Sequence, residues 1–258
     1  MGERVEINGH PTWVDEHGSG DKTILMMHGG MSNSDTLEAL TQALAEHYRV
    51  VAFDRRGHGR TADTDAPFHY DDMATEAIGV LEQVVGGPAH IVGWSDGGNV
   101  GLLTAMRRPD LVDRMVVIGA NFHFEGAMPV DVDPGFTDMI RAGYVERSPD
   151  GEEHFEAHIG KAMTMIETEP TLTTDDLCKI DTPTLVLVGD DDLLTLAHTA
   201  ELYESLPAGQ LAVVPGTSHI LPIERPDETA RIILHFLEAD VPPTTFMPIR
   251  RAGGSEHS

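Results

Sequence analysis

The chain has a single cysteine, Cys178, among its 258 residues. One thiol cannot close an intrachain disulfide, which excludes a disulfide-stapled fold and points to a reducing compartment, so the cytoplasm is the expected location. Long apolar runs are also missing. None approaches the roughly 18 residues of a membrane span, and the opening MGERVEINGHPTWVDEHG has no apolar core of signal-peptide type. Basic residues are scarce, 17 against 43 acidic ones, for a formal net charge of −26. Such a surface repels phosphate backbones and anionic membranes, so neither nucleic acid nor a membrane is an expected partner. It serves solubility or salt tolerance and is compatible with cationic substrates. Internal repeats are absent.

What is present is enough for a full core: 40% of the residues are hydrophobic, in a length suited to one large domain or one domain with an insertion. Short apolar runs alternate with amphipathic stretches. Thr23–Met27, Arg49–Phe53, Ala89–Gly93, Arg114–Ile118, Pro183–Val188 and Gln210–Val214 read as strands apolar on both faces, as a parallel sheet between helices requires. Helical spacing links Leu37, Leu40, Ala43 and Leu44, then Met73, Ala77, Val80, Leu81 and Val84, and Pro226 opens a closing helix to Leu237. A leading antiparallel pair turns near Asn8-Gly9. The expected fold class is therefore α/β, a mostly parallel twisted sheet flanked by helices. From Phe122 to Lys179 no strand candidate appears, and so long a connection reads as an insertion. Residues 1–121 and 180–240 form the expected core, 122–179 a helical cap over the C-terminal edge of the sheet, and 241–258 an unstructured tail.

Gly93-Trp94-Ser95-Asp96-Gly97-Gly98 places G-x-S-x-G between a buried strand and an apolar helix. A nucleophile at the tip of so sharp a turn leaves no room for side chains two residues before and after it, hence the glycines. The helix start favours negative charge beside the serine. A serine needs a base held in one tautomer by an acid. His219, in the loop just past the Gln210–Val214 run, is the expected base; His235 lies within the closing helix and His257 in the tail. The acid follows the Pro183–Val188 run, where Asp190, Asp191 and Asp192 are consecutive. Alternation turns Asp190 and Asp192 the same way, and reach favours Asp192, leaving the others to cap or brace the loop. Two backbone N–H groups must meet the developing oxyanion. Asp96, after the nucleophile, supplies one; Gly30 in His28-Gly29-Gly30-Met31 supplies the other, with Met31 as the alternative. His28 is expected to brace this loop and to line the substrate pocket.

These marks, with Asp54-Arg55-Arg56-Gly57-His58-Gly59 and Gly216-Thr217-Ser218-His219, resemble the α/β-hydrolase superfamily over about Val5 to Ala239. The resemblance implies Asp192 independently, through G-x-x-D after the seventh strand, and a mainly structural role for the 54–59 loop. The elbow, together with Ile118-Gly119-Ala120-Asn121, is locally most similar to the biphenyl-hydrolase-like proteins, the valacyclovir hydrolase group. That likeness implies hydrolysis of α-amino acid esters, with Asp96 holding the substrate ammonium. The residues themselves leave Asp96 open between that role and a first-turn helix acid favourable to the dipole.

Other features are expected to shape the pocket. Trp94 is pocket wall or core. Phe122 and His123 are placed to edge the site, and Met163 and Met165, with Ile159 and Ile166, line the underside of the cap or its packing. His154 and His158 stand one helical turn apart, but without a third ligand they read as a cap face and not a metal site. The expected activity is a serine esterase acting on a small-molecule ester, as a monomer or homodimer, with no metal or organic cofactor. The same triad could serve a carbon–carbon bond hydrolase, lactonase or perhydrolase. A non-catalytic receptor on this scaffold is the reading from another class.

Overall fold

The computed structural model describes residues 2–129, 134–239 and 246–247. Its eight-stranded sheet runs in the order β1-β2-β4-β3-β5-β6-β7-β8. Strands β1 (Glu3–Ile7) and β2 (His10–His17) form an antiparallel hairpin. Asn8 and Gly9 make its turn at φ 52° and 84°, the left-handed pair that a tight hairpin requires. β2 joins β4 (Arg49–Phe53) antiparallel. Strands β3 (Thr23–Met27), β5 (Ala89–Trp94), β6 (Val112–Ile118), β7 (Thr184–Asp191) and β8 (Gly209–Ser218) complete the sheet in parallel.

Side chains two apart on a strand share a face, and both faces here are apolar. Leu25, Met27, Val51, Phe53, Ile91, Met115, Val117 and Val186 enter one core cluster. Their neighbours Ile24, Met26, Val50, Ala52, Val92, Val116, Ile118, Leu185 and Leu187 enter the other. Helices α2 (Tyr70–Val80), α3 (Asp96–Arg107) and α7 (Leu196–Ser205) supply Met73, Ala77, Val100 and Leu202 to the first. Helices α1 (Glu38–Ala45) and α9 (Pro226–Glu238) supply Leu40, Leu44, Ile233 and Phe236 to the second. Each such fully buried aliphatic side chain contributes about 1.5–3 kcal/mol. The strands therefore read as unbroken apolar runs because each residue has a layer of helices beneath it.

Between β6 and β7 lie α4 (Pro134–Arg147), α5 (Phe155–Thr168) and the short α6 (Thr174–Leu177). Helix α5 buries Phe155, His158, Ala162 and Met165, one helical stripe. A further short helix, α8 (Leu221–Glu224), precedes α9. The tail expected beyond residue 240 lies outside the described residues except for Phe246 and Met247, both exposed. Among the described residues no helix is long and apolar enough to cross a membrane.

Candidate active site

Ser95 sits between β5 and α3 with φ 54° and ψ −121°. A non-glycine residue in that region stores on the order of 1–3 kcal/mol of strain, and the surroundings hold it there. Its N–H donates to Ile118 O at 2.8 Å, and its carbonyl accepts from Gly98 N at 2.8 Å and Asn99 N at 3.1 Å. The flanking glycines are obligatory. A methyl on Gly93 would stand 2.2 Å from Gly97 O, and one on Gly97 would stand 2.3 Å from Met27 O. Backbone is hit in both cases, and backbone cannot swing aside.

The loops after β7 and β8 bring two further groups to this turn. His219 Nε2 lies 3.0 Å from Ser95 Oγ, and Nδ1 lies 2.8 Å from Asp192 Oδ1. A carboxylate can only accept, so the imidazole proton belongs on Nδ1 and the Nε2 lone pair faces the hydroxyl. Asp192 is buried and also accepts from Leu194 N at 3.0 Å. Gly119, at φ 54°, passes so close that a methyl there would stand 3.0 Å from His219 Nδ1. Asp190 does not reach His219. It accepts instead from Gly216 N at 2.6 Å and Thr217 N at 3.3 Å, bracing the loop that carries the imidazole. Trp94 belongs to the core cluster under α1 and α9, and its indole N–H donates to His219 O at 2.8 Å. The two asparagines beyond the elbow and beyond β6 clasp one another: Asn121 N donates to Asn99 Oδ1 at 3.0 Å, and Asn99 Nδ2 to Asn121 Oδ1 at 2.9 Å.

Opposite the elbow runs the 28–31 loop. Its His28 is fully buried; Nδ1 donates to Gly29 O at 2.7 Å and Nε2 accepts from Arg55 N at 3.2 Å. Burial, reinforced by the nearby Arg55 charge, holds this imidazole neutral, its pKa well below the usual histidine value. Met31 takes φ 52° to turn the chain back. Among the described residues no protein acceptor takes the N–H of Gly30 or of Asp96. Asp96 is buried, and Tyr70 OH donates to its Oδ1 at 2.7 Å, while Oδ2 has no partner. Burial raises the Asp96 carboxyl above its ordinary value, opposed by the Arg55 charge and the Tyr70 hydrogen bond. Neither Tyr70 nor Arg55 carries a sequence pattern that marks it for this site. Tyr70 gives no signal, and Arg55 only its place in the Asp54–Gly59 stretch.

Met163 is 41% exposed whereas Met165 is buried. Two residues apart on helix α5, the two methionines point to different sides of it. Phe122 is buried, stacked on His198 at 4.1 Å between ring centres. His123 stacks on Phe124 and accepts from Glu125 N at 3.3 Å. Neither ring has a hydrogen bond or ring contact with the triad. The His154 and His158 side chains part ways: His154 Nε2 meets Asp63 Oδ2 at 2.9 Å, and His158 is buried among His58, Phe68 and Tyr144. Among the described residues no three His, Cys, Asp or Glu side chains gather as a metal site. A groove of about 400 Å³ lies between Phe68 and the Lys161–Met165 side of α5.

This sheet, with a serine at the β5–α3 turn facing a histidine and an aspartate from the last two strand ends, defines an α/β hydrolase. Residues 24–232 match the Alpha/beta hydrolase family, and the chain belongs to it. It is similar to the serine hydrolase BPHL of Homo sapiens, 25% identical over 255 residues, covering 91% of this chain and 86% of that protein. It is also similar to the 2-(acetamidomethylene)succinate hydrolase of Mesorhizobium japonicum, 28% identical, with 93% and 96% covered. Among solved structures, a serine hydrolase involved in carbazole degradation superposes with a TM-score of 0.76 at 25% identity, covering 92% of this chain and 98% of that one. The chain is thus a hydrolase of the α/β-hydrolase type.

Proposed function

We propose that the chain hydrolyses small carboxylic esters by acyl-enzyme chemistry, with Ser95 as nucleophile, His219 as base and Asp192 as the acid that orients it. His219 Nε2 takes the hydroxyl proton as Ser95 Oγ attacks the ester carbonyl. The N–H groups of Gly30 and Asp96 hold the oxyanion. As the tetrahedral intermediate collapses, His219 returns the proton to the leaving alcohol. Water then attacks the acyl-serine by the same route, releasing the acid and free Ser95. The observation carrying this reading is the unbroken relay of 3.0 Å and 2.8 Å contacts from Ser95 Oγ through His219 to Asp192. The insertion of residues 122–179 acts as the cap over the acyl group.

Asp96 Oδ2 supports a narrower substrate class. It is a buried acceptor without a protein donor, one residue from the nucleophile. An α-ammonium group on the acyl portion would supply the missing donor, which favours aminoacyl esters.

The test is Ser95→Ala. It should abolish labelling by a fluorophosphonate and lower kcat for p-nitrophenyl acetate by about 10⁴-fold or more. Undiminished labelling would overturn the nucleophile assignment.

A further inference from the structure

Arg55 is fully buried and is spent almost entirely on the 28–30 loop. Its Nη1 donates to the His28 carbonyl, and its Nη2 to the Gly29 carbonyl at 2.9 Å. Its backbone N–H donates to His28 Nε2, which leaves the His28 proton on Nδ1, and Nδ1 donates to the same Gly29 carbonyl at 2.7 Å. Ser32 Oγ is a third donor to it at 2.9 Å. One carbonyl oxygen thus receives three donors, one of them charged. That is more than a loop needs merely to satisfy its backbone.

The geometry of the peptide unit says what such a grip accomplishes. The C=O of one residue and the N–H of the next lie on opposite edges of one planar trans group. Pinning Gly29 O against Arg55 therefore turns the Gly30 N–H the other way, off the arginine. The loop lies directly against the residue after the nucleophile, since a methyl on Gly30 would stand 2.4 Å from Asp96 Oδ2. The Asp96 carboxyl is also the main charge offsetting the buried guanidinium.

We infer that Arg55 is the positioning residue of the oxyanion loop: with His28 and Ser32 it clamps the Gly29 carbonyl so that the Gly30 N–H is aimed before substrate arrives. The inference rests on the reading of Gly30 as an oxyanion donor. It also favours Gly30 over Met31 for that role, because the carbonyl preceding Met31 has no such clamp.

Arg55→Lys keeps the charge but loses the two-pronged fork. It should lower kcat on p-nitrophenyl acetate about 10²–10³-fold, the scale of losing one oxyanion donor. KM should stay within about threefold, and the acid limb of the pH–rate profile should not move, since the clamp does not touch His219. Ser32→Ala removes one donor at a partly exposed position and should give about a tenfold fall in kcat with the same unchanged KM. If Arg55→Lys does not fold, Ser32→Ala decides. Wild-type kcat in folded Arg55→Lys, or in Ser32→Ala where the lysine variant is unfolded, overturns the clamp, as does a loss expressed wholly in KM. Failure of the ester hydrolase reading would look different, because Ser95→Ala would then keep its activity.

Discussion

On the proposed mechanism Asp96 answers two demands at once: its N–H holds the oxyanion, and its carboxyl group is buried beside it. An anion there would oppose the charge being stabilised. The Tyr70 hydroxyl and the Arg55 charge both favour the carboxylate against the cost of burial, and an ammonium on the substrate would add a third favourable partner. Asp96→Asn should raise KM for an aminoacyl ester about tenfold or more while changing KM for the acetyl ester by about twofold at most. Equal effects on both would remove the aminoacyl refinement and leave ester hydrolysis standing. At this scale the sequence was legible wherever function imposes a local pattern. Ser95 announces itself by glycines that the turn makes obligatory, and His219 by a loop at the end of a strand. Asp190 and Asp192 were harder. Strand alternation would give them one direction, yet the β7–β8 register shifts between Gly189 and Asp191, and the two carboxylates serve the backbone and the imidazole respectively. Arg55 and Tyr70 act on residues 26 or more positions away, so nothing in their own neighbourhood reveals their targets.

Helix α5 is tied to the loop that follows β4 by a buried carboxylate. Asp63 Oδ2 accepts from Lys161 Nζ at 2.7 Å and meets His154 Nε2 at 2.9 Å. Burial alone would raise this carboxyl, but hydrogen bonds from Lys161 and His154 outweigh it and hold the group below its ordinary value. Asp63 N also donates to Asp150 Oδ2 at 2.8 Å, and Arg147 Nε donates to Asp35 Oδ2 at 2.7 Å. The segment between β6 and β7 is thus fastened to the loops after β3 and β4 at several points. Asp63→Asn should cost about 1–3 kcal/mol, with faster amide hydrogen exchange along α5 and unchanged protection in β3 and β5. Unaltered exchange in α5 would show that the carboxylate is no tether. The strands of the core and helices α1, α2 and α9 were readable from apolar period, within a residue or two at most ends, whereas α7 was not. The segment between β6 and β7 was readable only as helical, because its ties are single charged contacts to distant loops and leave no periodic trace.

Five imidazoles are buried among the described residues of the molecule. Burial pushes His90, His158 and His198 down to about 4, and His28 and His58 well below the usual histidine value. Unfolding returns each to about 6.5. The unfolded chain therefore binds more protons below that pH, and the stability these neutral rings carry is complete above about 6.5 and drains away as pH falls toward 4. A net charge of −26 adds self-repulsion that acidification relieves, which acts in the opposite direction to the buried rings. His90 isolates the effect, since both its ring nitrogens are buried without partners in β5. His90→Leu should flatten the fall of unfolding free energy between pH 6.5 and 4 by up to about 1.4 kcal/mol per pH unit, as measured by urea titration. A slope identical to wild type would show that His90 does not couple folding to pH.

Trp94 directly precedes Ser95, and its indole N–H donates to the carbonyl of His219. It is one of only two tryptophans in the chain, with its ring centre 6.0 Å from that of His219. Indole emission responds to a neighbouring imidazolium, so on the proposed mechanism the fluorescence of Trp94 would report the state of the His219 ring.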